Sequence, residues 1–282
     1  MDDNSKRKMK NFLYLVQGPS GLPQHLQVLN TSDSEIVVLS YLHNDVSTNI
    51  YYPNSTWTQG RNALFNYGKQ LERTGAYYFK YWVFMDDDVQ LSADSLRSFE
   101  RIVLEYEPAV AVPKYAGNIR IMSAPILPVY HFDAIFNAFH RESLEWLMPY
   151  NGTFDTSSWW TSQLILIHKA GMWYQGHILE IEAMEVGNEK SRTYPRSKKF
   201  WKEIQQDFAN SLPDPLKRCY QDKGHLGVNK TTKSLLWGKV TKKEATYAYP
   251  PNLELMRKLH SHYASYEDDL EHHCQLHTGP PI

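Results

Sequence analysis

The sequence predicts an α/β fold: an open, mostly parallel sheet with helices on both faces. Three observations predict it. Over roughly the first 110 residues, apolar strand-like runs alternate with amphipathic helical stretches four times, the pattern of parallel strands joined by covering helices. Apolar residues make up 42% of 282 residues, enough for a core that needs no disulfide or metal staple. A run of three carboxylates, Asp86-Asp87-Asp88, closes one predicted strand, at the end where ligands of such sheets bind.

The elements follow in order. Residues 12–17 (FLYLVQ) read as a buried strand ending in the turn Gly18-Pro19-Ser20-Gly21. Leu22 to Leu29 has helical spacing. Glu35 to Tyr41 is a second strand, rich in β-branched residues, followed by a polar loop from His43 to Asn49. Thr58 to Arg73 predicts a helix, because Ala63, Leu64, Tyr67 and Leu71 recur at three and four. Tyr78 to Met85 is an aromatic, apolar strand. Ser92 to Tyr106 is a helix with Ser92 as N-cap and Leu96, Phe99, Val103 and Leu104 on one face. Ala109 to Val112 is a short strand.

The second half is less regular. The Pro-containing stretch 123–130 predicts an extended loop or edge strand. Phe132 to Leu147 predicts a helix stopped near Pro149, and Asn151-Gly152 a turn. Asp155 precedes a helix from Ser157 to Lys169, ended by Gly171. Trp173 to Met184 reads as a strand pair, Lys198 to Asn210 as a helix, and Asn252 to Leu270 as a last helix before a His-rich tail. The whole chain, 1–282, is expected to be one domain: a first half of about 10–115, a second of about 116–250, and a C-terminal helix and tail at 251–282.

Charge is balanced at −1, so the bulk electrostatics predict no nucleic-acid partner and no membrane surface, and any phosphate site must be local. No apolar run reaches the ~18–20 residues of a membrane helix. Phe12 to Val16 is too short for a signal-peptide core. The expectation is a soluble, untargeted chain: cytoplasmic, or in the Golgi lumen if an N-terminal anchor is missing. Four Asn-x-Ser/Thr sequons, at Asn30, Asn54, Asn151 and Asn229, lean toward a secretory lumen. Cys219 and Cys274 stand in no metal-ligand spacing, and whether they pair is left open.

Three adjacent carboxylates at the end of a hydrophobic strand repel one another, and a hard divalent cation offsets that cost. Mg²⁺ and Mn²⁺ prefer carboxylate oxygens, with waters and substrate phosphates completing the shell. Alternate residues of an extended segment point the same way, so Asp86 and Asp88 can serve one site while Asp87 turns aside. The plain alternative is an acidic turn in solvent. The apolar strand that delivers the triplet to a sheet edge argues against it.

The stretch from Trp57 to Asp94 resembles the core of the nucleotide-diphospho-sugar transferases, whose GT-A type fold is Rossmann-like. Those enzymes carry an Asp-x-Asp motif after a hydrophobic strand and often an Arg-Asn pair on the preceding helix. Here the counterparts are Gly60-Arg61-Asn62-Ala63-Leu64 and Phe84-Met85-Asp86-Asp87-Asp88-Val89-Gln90-Leu91. The resemblance implies a metal-dependent glycosyltransferase that carries a sugar from a nucleotide-diphosphate donor, UDP-sugars being common in metal-dependent members, to a hydroxyl acceptor such as a glycan. The first half would hold the donor and the second the acceptor. Asp88 would bind Mn²⁺ or Mg²⁺ directly. Asp86 would approach the ion through water and contact the donor's ribose. Asp87 and Asn62 would belong to the nucleotide-sugar site, and Arg61 would lie near the diphosphate or order the acidic loop. Asp45, in the loop after the second strand, would face the base. An isolated Arg61 has an ordinary use as well, a salt bridge to a carboxylate.

An inverting transfer needs a base in reach of the acceptor's proton. The resemblance places an acidic residue at the start of a helix in the second half, and Asp155 fits that location as the catalytic candidate. The alternative is a helix N-cap. Trp159 and Trp160 offer a stacking platform for a sugar or, more ordinarily, core packing. His168, His177 and His225 are candidate third metal ligands by position, and none is assigned. His272-His273-Cys274 reads as a solvated tail, and Glu180, Glu182 and Glu185 as a polar strand face. Two other classes compete. A Mg²⁺-dependent phosphohydrolase of the haloacid dehalogenase type would place its acidic pair on the first strand. A non-catalytic module would bind nucleotide sugar without turnover.

Overall fold

The computed structural model describes residues 8–75, 77–116, 125–129, 132–174 and 177–187, with a few positions between 195 and 210. Among the described residues, eight strands form one sheet: β1 (Lys8–Gly18), β2 (Ser34–Ser40), β3 (Ile50–Tyr51), β4 (Tyr77–Asp86), β5 (Val110–Tyr115), β6 (Ile126–Pro128), β7 (Phe136–His140) and β8 (Ile178–Val186). Their order is β3-β2-β1-β4-β7-β5-β8-β6. β1 pairs in parallel with β2 and β4, and β5 with β8. β7 runs antiparallel between β4 and β5, and β6 antiparallel at the edge. The C-terminal ends of β1, β2, β4, β5 and β8 therefore share one sheet edge.

Among the described residues, the helices that cover the sheet are α1 (Trp57–Thr74), α2 (Ala93–Tyr106), α3 (Arg141–Leu147) and α4 (Trp159–Trp173). Strand alternation sorts side chains into two cores. Leu13, Leu15, Trp82 and Phe84 pack with Leu64 and Phe65 of α1, Leu144 of α3 and Leu166 of α4. Tyr14, Val16, Tyr81, Val83 and Met85 pack with Leu96, Phe99 and Val103 of α2 on the other face. Helices on both faces of a mostly parallel sheet are what the sequence predicts. Among the described residues no helix is long and apolar enough to cross a membrane.

Local differences have local causes. The predicted helix from Phe132 to Leu147 is a strand and a short helix, β7 and α3. Phe132, Ile135, Phe136 and Phe139 sit at i, i+3, i+4 and i+7 and imitate a helical stripe. β7 lies inside the sheet with all five residues buried, so it shows no period-two alternation. The stretch 22–29 forms only a 3-10 turn, Gln24–Leu29, which buries Leu26 and Leu29. Gly171 does not end α4, which runs to Trp173 and is capped at Tyr174. The expected strand pair of 173–184 is the single strand β8. Residues 126–128 form the expected edge strand. Lys202, Glu203, Gln206, Ala209 and Asn210 are helical. The predicted helix 252–270, His225, the His272-His273-Cys274 cluster and both cysteines lie outside the described residues.

Candidate functional site

β4 delivers the acidic triplet. Tyr81 to Met85 are buried, and Asp86 emerges at the shared C-terminal edge with a side chain 23% exposed. In register with Gln17 of β1, it lies on the α1 face of the sheet. Its Oδ1 accepts from two groups of the first turns of α1: Arg61 Nη2 at 2.5 Å and Trp57 Nε1 at 3.3 Å.

Arg61 is fully buried. Its Nη1 donates to the Met85 carbonyl at 2.7 Å and lies 3.5 Å from the Leu15 carbonyl, so the guanidinium joins the ends of β1 and β4 as well as holding Asp86. Its Cζ lies 5.0 Å from the Trp57 ring centroid, a cation–π contact. A buried guanidinium needs such a ring of acceptors, because an unpaired one is strongly disfavoured. Of the two roles the resemblance offered Arg61, this geometry supports ordering the acidic loop.

The Asp86 carboxyl is pushed up to about 6. Burial is the main cause; Arg61 pulls it down, the Asp88 charge pushes it up, the Trp57 hydrogen bond lowers it, and the Asp133 charge raises it. The Asp86 carboxyl thus feels the Arg61 guanidinium and the charges of Asp88 and Asp133 together. Asp133 did not stand out in the sequence because its segment read as helix. It lies on the segment entering β7, which is tied to the triplet: Asp86 N–H donates to the Ile135 carbonyl at 3.1 Å, and Ile135 N–H to Asp133 Oδ1 at 2.9 Å.

Asp88 is half-buried beside Asp86. Asp87 turns aside, as alternation predicts: it is 8% exposed, and its N–H donates to the Gln17 carbonyl at 3.1 Å. It packs on Gly18 so closely that a Cβ there would stand 2.6 Å from Asp87 Cβ, which explains the glycine. Asp45 is exposed and occupied within its own loops. Its Oδ2 accepts from Gly21 N–H at 2.6 Å, and Oδ1 from Ser47 N–H at 3.1 Å and Ser47 Oγ at 2.9 Å. These bonds hold its carboxyl below the usual range, the Gly21 bond first. Asp45 therefore joins the loop after β1 to the loop after β2.

Asn62 is engaged with the second half of the chain. Its Nδ2 donates to the Tyr150 carbonyl at 2.9 Å, and its Oδ1 accepts from Tyr150 N–H at 2.8 Å. Asp155 is 6% exposed. Its Oδ2 accepts from the Thr56 hydroxyl, and Ser162 Oγ of α4 lies 3.1 Å from its Oδ1. The N-cap of α4 is Ser158, so the capping role offered for Asp155 is not the one it fills.

The remaining candidates divide by position. His177 stands at the start of β8, the sheet edge away from Asp86, and its Nδ1 accepts from Ala109 N–H at 3.0 Å. His168 is buried on α4. Trp159 packs against the α1-side core, and Trp160 is half-buried. Glu180 is buried, and Glu185 pairs with Lys114 at 2.9 Å. Among the described residues, no group of three His, Cys, Asp or Glu is arranged to hold a metal by itself.

No family model and no curated protein matches the sequence. Solved structures do match its fold. One is S. aureus TarS 1-349 in complex with UDP-GlcNAc, with TM-score 0.50 and 12% identity over 80% of this chain and 78% of that one. Another is GalNAc-T7 with UDP, GalNAc and Mn²⁺, with TM-score 0.50 and 10% identity over 96% of this chain and 57% of that one. The chain has the GT-A type fold of the nucleotide-sugar glycosyltransferases.

Proposed function

We propose that this protein is a glycosyltransferase that takes its sugar from a nucleotide-diphosphate donor, a UDP-sugar first among them, and passes it to a hydroxyl such as that of a glycan. The observation that supports it is the cluster of carboxylates at the end of β4. The Asp88 and Asp133 charges both act on the Asp86 carboxyl at this strand edge, and the buried Arg61 pairs with Asp86. Of the matching structures, TarS 1-349 with UDP-GlcNAc and GalNAc-T7 each carry a uridine diphosphate group, the latter with Mn²⁺.

The donor set fits a hard divalent cation. Asp86 Oδ1 is held by Arg61 and Trp57, and Asp88 stands beside it. Carboxylate oxygens suit Mg²⁺ or Mn²⁺, which keep waters and take phosphate oxygens. Asp88 would hold the ion directly and Asp86 through water. There it would supply Lewis-acid stabilisation of the departing diphosphate. Arg61 keeps Asp86 oriented, and Asp87 and Asp45 hold the loops that would frame the nucleotide. In the transfer, the acceptor oxygen bonds to the sugar's anomeric carbon as the bond to the diphosphate breaks, and the hydroxyl proton passes to solvent water, directly or by way of the departing diphosphate.

The phosphohydrolase reading loses its support, because the triplet ends β4 and not the first strand. Slow donor hydrolysis tests the proposal. With Mn²⁺ and a panel of nucleotide sugars, release of nucleoside diphosphate is expected. Phosphate release from simple esters would restore the phosphohydrolase, and binding with neither product would mark a non-catalytic module.

A further inference from the structure

We infer that Asp155 is a positioning residue, a tie that fixes the first turn of α1 and through it the orientation of Asp86. This rests on the glycosyltransferase reading and reassigns the carboxylate that the sequence offers as a base.

The chain of contacts is continuous. Asp155 Oδ2 accepts from the hydroxyl of Thr56, the N-cap of α1. The same Thr56 oxygen accepts from Gln59 N–H at 3.1 Å, and Gln59 Oε1 accepts from Thr56 N–H at 2.9 Å, closing a capping box. The next residue is Trp57, whose indole N–H reaches Asp86. Its ring has little freedom, with Tyr150 edge-on at 5.0 Å and the Arg61 guanidinium 5.0 Å away. A displacement of Thr56 therefore moves Trp57, and with it one of the two α1 donors on Asp86.

The far side of Asp155 is equally anchored. Ser162 Oγ, in the first turn of α4, lies 3.1 Å from Oδ1 and 2.5 Å from the Asn151 carbonyl. The carboxylate thus sits between the starts of α1 and α4, where the positive ends of two helix dipoles favour a buried negative charge. A general base must present an oxygen to an acceptor's proton. Both Asp155 oxygens face hydroxyl groups of the fold, and the residue is 6% exposed.

The test uses the whole chain and the variants Asp155→Ala, Asp155→Asn, Thr56→Val and Trp57→Phe. Titration calorimetry with UDP in saturating Mn²⁺ is followed by donor-hydrolysis and transfer rates. A tie predicts that Asp155→Ala and Thr56→Val each weaken UDP binding about tenfold, the effect of one lost hydrogen bond to a charge. Their double variant is no weaker than either alone. Asp155→Asn recovers part of the loss, and kcat at saturating donor changes less than about threefold. A merely structural role would lower the active fraction and leave the dissociation constant unchanged.

A base predicts the reverse: Asp155→Asn and Asp155→Ala both lose transfer by more than about a hundredfold with UDP affinity intact, and Thr56→Val is silent. That result overturns the inference. The NMR signal of the Trp57 indole N–H, identified by its loss in Trp57→Phe, gives a reading without ligand. It shifts in Thr56→Val and Asp155→Ala if the tie reaches Asp86, and an unmoved signal refutes the tie. If the wild-type protein binds no Mn²⁺–UDP, the proposed function fails on its own, and the indole signal still decides the inference.

Discussion

Arg61 Nη2 stands 2.5 Å from Asp86 Oδ1, and none of the guanidinium side chain reaches solvent. The pair is asymmetric. Arg61 has carbonyl partners on two strands, whereas Asp86 lies 23% exposed and faces two further carboxylates. The cation is thus part of the scaffold, and the anion is what the scaffold presents. Replacing Arg61 by Ala should cost about 3–5 kcal/mol, the penalty for breaking a buried ion pair. Arg61→Lys should recover little, because one ammonium cannot span Met85, Leu15 and Asp86 as a planar fork does. Urea unfolding at neutral pH measures both. A loss below about 1 kcal/mol in Arg61→Ala would contradict the role as strand staple.

Asn62 joins the two halves of the chain through both hydrogen bonds to the Tyr150 backbone. Asn62→Ala leaves that N–H and carbonyl without a partner and should destabilise the fold by about 2–3 kcal/mol. UDP affinity at matched folded fraction should stay within about threefold of wild type, a limit set by the modest weight of an indirect contact. A folded variant with normal stability that no longer binds UDP would instead support Asn62 as part of the donor site.

His140 is held near 3, far below its ordinary value, by burial first and then by the charges of Lys80 and Arg141. It stays neutral in the fold while the unfolded chain takes up a proton below about pH 6.5. Between those two values the unfolded state binds more protons, so stability falls as pH falls through the window. The loss is at most about 5 kcal/mol. His140→Gln should flatten the decline from pH 6.5 toward pH 3, measured as the difference in unfolding free energy between variant and wild type at each pH. Parallel curves would show that His140 does not carry the effect.

The first half of the chain was legible in the sequence because its signals are local. The apolar run Tyr81–Met85 ends in three aspartates, and α1 repeats its apolar residues at helical spacing. The second half was less so. β7 has no alternation to read, since its neighbours β4 and β5 cover both edges and helices cover both faces. That error concealed Asp133, whose relation to Asp86 depends on an antiparallel strand slotted into a parallel sheet. The partners of Asp155 and Asn62 were equally hidden: Thr56 lies 99 positions from Asp155, and Tyr150 lies 88 from Asn62. Such pairs follow from topology and leave no periodic trace.

The most direct measurement is calorimetric titration of UDP into the protein with Mn²⁺, repeated with EDTA and with Asp88→Ala. Saturable binding that requires Mn²⁺ is expected in the wild type. It should fall by more than about a hundredfold, the loss of a direct metal ligand, in EDTA and in a folded Asp88→Ala variant. UDP binding of equal strength in all three would mean that the aspartates at the end of β4 hold no ion that grips a diphosphate.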